Sequence, residues 1–161
     1  MNETAPVQPT VYIESTILSY LVSSPSRDVI VAARQAVTRE WWEFDAPNFD
    51  LVLSQVVLDE IAAGNPLQAK NRMKYASKIS ALEISESAVE LAQAIQQRGL
   101  VPPNEARDAL HISVATVWKI DYLLTWNCKH IANAQIIKQL QNYVKTYGYD
   151  LPIICTPESL R

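Results

Sequence analysis

A chain of 161 residues with 48% hydrophobic residues is long enough for one domain with a sizeable core, and its composition excludes a disordered polypeptide. No apolar run approaches the roughly 20 residues that cross a bilayer, and the start Met1-Asn2-Glu3-Thr4 lacks the basic and apolar regions of a secretory signal, so a cytoplasmic protein is expected. The formal net charge of −3 gives no overall basic footprint of the kind a protein that holds nucleic acid mainly through its phosphates usually shows, and it neither supports nor excludes a transient nucleic-acid substrate.

Residues 11–14 read as a first strand, rich in β-branched and aromatic types, and Glu14 closes its apolar run Val11-Tyr12-Ile13. Ser15 and Thr16 offer capping hydroxyls for a short helix running to Val22. After a loop over 23–26, residues 28–44 place Val29, Ile30, Ala33, Ala36, Val37, Trp41 and Phe44 at helical spacing. Aromatic residues at such spacing usually pack in a core; together with the apolar 15–22 segment, Trp41, Trp42 and Phe44 are also the candidates for a partner groove.

A second strand is predicted over 51–54 and a helix over 55–63, which Gly64-Asn65-Pro66 stops. Glu60 lies in that helix, with Asp59 beside it as a competitor for any role. The helix over 66–78 carries Lys70, Arg72, Lys74 and Lys78, a charge cluster read as a solvated face. A third strand follows near 81–84. Ser85 caps a helix over 86–98 that Gly99 ends, and Asn104 is the expected cap of a helix over 105–118. Asp108 falls in the first turn of that helix, among apolar residues.

Residues 121–124 read as a fourth strand, with Thr125 and Asn127 just beyond it. An amphipathic helix then runs to about Tyr147, with Gly148 as its stop, and residues 152–155 form a last strand. Cys128 and Cys155 are too few for a disulfide framework and read as small buried residues beside strands. Cys128 and His130 form a Cys-x-His pair with no second pair at zinc-finger spacing, so a structural zinc is not expected. The β/α alternation implies a mostly parallel sheet of four to five strands with helices on both faces.

In such sheets ligands bind beyond the carboxyl ends of the strands. Glu14, Glu60, Asp108 and Asn127 can all converge there, and isolated carboxylates are costly to bury unless a cation compensates them. Each has an ordinary structural explanation as a cap, dipole partner or surface residue. Their joint placement points to a divalent ion with oxygen ligands, Mg²⁺ or Mn²⁺. His111, one turn past Asp108, is more often a packed histidine than an acid.

Tyr12-Ile13-Glu14-Ser15-Thr16-Ile17-Leu18, Ser54 with Leu58-Asp59-Glu60-Ile61, Asp108-Ala109-Leu110-His111-Ile112 and Leu124-Thr125-Trp126-Asn127 occur in the order expected of a PIN domain. Over residues 10–155 the chain resembles the toxin component of bacterial VapBC-type toxin–antitoxin pairs. The resemblance implies a three-layer α/β/α PIN-like fold over 1–161, with 1–9 a flexible tail. It also implies a Mg²⁺- or Mn²⁺-dependent endoribonuclease that hydrolyses RNA, forms a homodimer and pairs with a small antitoxin.

Glu14, Glu60 and Asp108 would then be the metal ligands, Asn127 a fourth catalytic position, and Ser15, Thr16 and Thr125 the residues that orient carboxylates. The family's first acidic position is typically Asp, one methylene shorter than Glu14, and Asn127 brings no charge. These departures bear on catalytic strength rather than on fold. Two other readings stand beside this one: a catalytically weak PIN-like domain that binds RNA or a protein, and an unrelated metal-dependent phosphatase. The phosphatase is disfavoured by the absence of an Asp-x-Asp pair on the first strand and by only three glycines.

Overall fold

The computed structural model describes residues 6–161, so the first five positions of the expected tail lie outside the described residues. Gln8 and Pro9 are tied down: the Gln8 amide donates to the Pro47 carbonyl at 3.2 Å, and the Asp50 N–H donates to the Pro9 carbonyl at 2.9 Å.

Five strands form one sheet: β1 (Thr10–Ile13), β2 (Asp50–Ser54), β3 (Ser80–Leu82), β4 (Tyr122–Leu124) and β5 (Ile153–Cys155). Their spatial order is β3-β2-β1-β4-β5 and every pair is parallel. The central strand β1 is apolar and fully buried from Val11 to Ile13, as a strand covered on both faces must be. Parallel neighbours need helical crossovers. These are α1 (Ser15–Val22), α2 (Val29–Glu40), α3 (Gln55–Ile61), α4 (Pro66–Ala76), α5 (Glu86–Gln97), α6 (Ala106–Val117) and α7 (Ala134–Lys145). None of the described helices is long and apolar enough to cross a membrane.

Several local expectations are corrected. The cap of α1 is Glu14 itself, whose carboxylate accepts the Thr16 N–H; Ser15 and Thr16 are the first helical residues. The cap position of α6 is Glu105 rather than Asn104, and it makes no side-chain cap bond. The buried face of α2 is not its apolar one, for Val29 and Ile30 are 82% and 66% exposed while Gln35 and Thr38 are buried. Hydrogen bonding decides this. Gln35 bridges the Ser26 N–H and the Ser24 carbonyl, and the Thr38 hydroxyl accepts the Trp126 indole N–H at 2.8 Å.

The helix continues into one wide π turn, Trp41–Asp45. There Trp41 is fully buried against Phe49 and Trp42, and Ile17, Leu18 and Leu21 of α1 also lie in the core, so these residues supply packing rather than a partner groove. Phe44 alone of that set stands well exposed. Neither cysteine is buried as expected: Cys128 is exposed and Cys155 half-buried, its thiol pushed up to about 11 by that burial. Arg72 leaves the solvated face assigned to it and donates to the carbonyls of Ile61 and Ala63, closing the corner between α3 and α4.

Candidate metal centre

The strand order reverses at β1, with β2 on one side and β4 on the other, which is where a parallel sheet of this kind places a ligand crevice at its carboxyl edge. Glu14 follows β1 directly. Its backbone N–H donates to the Leu124 carbonyl of β4 at 3.1 Å, which extends the ladder by one step and sets the residue beside Thr125. Only 2% of Glu14 is exposed. Its Oε1 accepts the Ser15 hydroxyl at 2.9 Å, and its Oε2 accepts the Thr16 N–H at 3.1 Å, the Thr125 hydroxyl at 2.8 Å and the Thr16 hydroxyl. Four donors and a helix N-terminus together stabilise a buried negative charge without a protein cation.

Glu60 projects from the second turn of α3 toward the same crevice, half-buried. Its neighbour Asp59 faces solvent and accepts the Gln55 amide at 2.8 Å, which takes it out of the centre. Glu60 Oε1 is hydrogen-bonded to His111 Nε2. Three residues past Asp108 on α6, His111 shares its face and is fully buried. Its Nδ1 meets the Tyr12 hydroxyl at 2.8 Å, and that hydroxyl meets Ser54 Oγ at 2.7 Å. The sequence assigns Tyr12 and Ser54 no role, and it favours packing over acid chemistry for His111. The signals were a polar residue ending an apolar strand, and an i, i+3 spacing to Asp108.

Asp108 is 8% exposed in the first turn of α6. Burial pushes its carboxyl above the ordinary value; a hydrogen bond with Asn127 and the His111 ring oppose this, and the charges of Glu105 and Glu14 reinforce it. For His111, burial lowers the ring's basicity, but the bond to Glu60 and the charges of Glu14, Glu60 and Asp108 outweigh it and leave the ring above its ordinary value. Asn127 is fixed at the β4 exit, donating its N–H to Thr125 Oγ1 at 2.9 Å and accepting the His130 N–H at 3.0 Å on Oδ1.

Two groups of ligand atoms result. Glu14, Glu60 and His111 each offer one atom within 4.8 Å of the other two, and Asp108 stands in the same relation to Glu105 and His130. Among the described residues no Lys or Arg forms an ion pair with Glu14, Glu60 or Asp108. Carboxylate oxygens dominate both groups, which suits a hard divalent ion.

This all-parallel sheet flanked by helices, with acidic residues at its carboxyl edge, is the PIN fold. Solved structures similar to it include a VapC toxin and VapBC complexes. VapBC2 from Rickettsia felis, bound to a DNA fragment from their promoter, superposes with a TM-score of 0.59 at 18% identity, covering 91% of this chain and 98% of that one. VapC20 of Mycobacterium tuberculosis, a Sarcin-Ricin loop cleaving toxin, gives 0.58 at 13% identity over 74% and 92%. VapBC-1 from nontypeable Haemophilus influenzae gives 0.55 at 14% identity over 93% and 99%. No family model matches the sequence, and no curated protein is similar to it.

Proposed function

We propose that this chain is a Mg²⁺- or Mn²⁺-dependent endoribonuclease of the PIN-toxin type, acting in the cytoplasm on RNA phosphodiester bonds. The observation that supports the reading is the pair of acidic groups at the carboxyl edge, Glu14 and Glu60 with His111, and Asp108 with Glu105 and His130; among the described residues no Lys or Arg forms an ion pair with Glu14, Glu60 or Asp108. Their oxygens are the donor set for one or two hard divalent ions, with Asn127 holding Asp108 in place.

When bound, such an ion lowers the pKa of a coordinated water and offsets charge developing on a phosphate. The chain's own residues do the rest. Ser15, Thr16 and Thr125 orient the Glu14 carboxylate, and in this reading one carboxylate, Glu60, accepts the proton of an attacking water. By the same reading the partners are an RNA substrate, a second copy of the chain and a small antitoxin protein.

The deciding experiment is cleavage of labelled RNA in Mn²⁺ by the wild type and by Asp108→Asn. Loss of cleavage in the variant, with an unchanged circular dichroism spectrum, is the expected result; wild-type cleavage by the variant removes Asp108 from the mechanism. One observation favours a second reading, a PIN-like domain that binds without cutting: Glu14 already accepts four hydrogen bonds, which leaves few lone pairs for an ion. Calorimetric titration with Mn²⁺ separates the two, since no measurable affinity selects the binding domain.

A further inference from the structure

The relay behind Glu60 runs through three elements and is not needed to hold the fold together by burial alone. Ser54 ends β2, Tyr12 lies in β1, His111 lies in α6, and Glu60 sits on α3; the first three are fully buried. Apolar residues in those three positions would avoid the cost of burying four polar groups. The polar chain that is present instead ends on one oxygen of one carboxylate.

Resting on the metal-centre reading above, we propose that His111 is a positioning residue that pins Glu60 Oε1 through its Nε2–H and leaves Oε2 as the oxygen offered to the ion, with Tyr12 and Ser54 fixing which ring nitrogen carries that hydrogen. The hydrogen-bond inventory makes this work in either state of the ring. In the neutral ring, Nδ1 accepts from the Tyr12 hydroxyl and Tyr12 in turn accepts from Ser54. In the charged ring, Nδ1 donates to Tyr12 and the two hydroxyls reverse direction. Nε2 keeps its hydrogen on Glu60 in both.

A carboxylate with one oxygen occupied presents the other along a single direction, which is what outer partners do for metal ligands generally. Among the described residues His111 is the one side chain that hydrogen-bonds Glu60.

The test is the dissociation constant of Mn²⁺, measured by calorimetry and by the paramagnetic signal of free Mn²⁺, with the melting temperature of each variant recorded alongside. His111→Leu is expected to weaken Mn²⁺ binding by about tenfold or more, and Tyr12→Phe by a few-fold, as removal of such outer partners does elsewhere. His111→Gln, whose amide nitrogen reaches the Nε2 position, is expected to recover most of the affinity lost in His111→Leu. A purely structural histidine would not show that rescue at equal melting temperature.

Wild-type affinity in both His111→Leu and Tyr12→Phe overturns the positioning role and leaves the metal centre standing. Absence of Mn²⁺ binding by the wild-type protein overturns the metal centre and the role with it. Should His111→Leu fail to fold, the comparison of His111→Gln with Tyr12→Phe decides, because only loss of affinity in Tyr12→Phe with retention in His111→Gln fits a pinned Nε2–H.

Discussion

Glu14 combines two duties that chains usually give to separate residues. It caps α1, and it also receives the Thr125 hydroxyl from the far side of the crevice. An aspartate could cap the helix but would fall about one methylene short of Thr125. Glu14→Asp is therefore expected to destabilise the protein by about 1–3 kcal/mol through the buried hydroxyl it leaves unpaired, read from urea unfolding. Thr125→Val takes a donor from Glu14 and also the acceptor of the Asn127 N–H, so it should cost at least as much; a clearly smaller loss than that of Glu14→Asp would refute the reach argument.

Asp108 and His111 make opposite demands on the acid–base balance of the metal-free protein. A carboxyl raised in the folded state binds its proton more tightly there than in the unfolded chain. Stability consequently falls as pH rises from the ordinary value near 3.8 through the folded value, and the loss is complete above it. Asp108→Asn removes that loss, so in EDTA at neutral pH it should gain about 0.5–2 kcal/mol, whatever its effect on the proposed cleavage. His111 is also raised, and for a base the stabilising contribution is full below its ordinary 6.5 and fades as pH climbs through the folded value. His111→Gln should thus cost more stability near about pH 6 than near about pH 9; a pH-independent difference would contradict the pairing with Glu60.

The elements themselves were largely legible, and the misses have physical causes. Short apolar runs followed by helical spacing located all five strands; the reason is clearest at β1, whose residues Val11 to Ile13 are buried on both faces. The cap of α1 was misassigned because glutamate is not among the usual capping residues; only the position of Thr125 across the crevice makes the longer side chain serve. The buried face of α2 could not be read from apolar spacing. Its buried positions are Gln35 and Thr38, chosen by partners 9 and 88 residues away. Thr38→Val, which leaves the Trp126 indole N–H unsatisfied, is expected to cost about 1–3 kcal/mol in chemical denaturation. The acidic set was visible as residue types at strand ends. The relay from Ser54 to Glu60 was not, since its members come from four elements and no local pattern links them.

Across the molecule, the topology does what no single segment does. Residues from β1, α3, α6 and the β4 exit meet only because β1 lies between β2 and β4. The PIN fold is shared with VapC toxins at identities of 13–18%, so the likeness rests on this arrangement of strands and not on sequence. A metal that binds the folded protein alone stabilises it by mass action. Millimolar Mn²⁺ should raise the melting temperature of the wild type, and should not raise that of Asp108→Asn by the same amount. Equal shifts would place the ion elsewhere.

The hydrogen bond from Thr125 to Glu14 spans 111 positions of the chain. It cannot form on the ribosome until β4 and the residues after it have emerged, and until then the Glu14 carboxylate lacks one of its four donors and the crevice lacks a wall. The same holds for Asp108, whose Asn127 partner is synthesised just after Thr125. Synthesis of the chain is therefore its own timer: the candidate metal centre stays incomplete until β4 and the residues after it are made, and a truncated product released before β4 lacks Thr125 and Asn127 altogether.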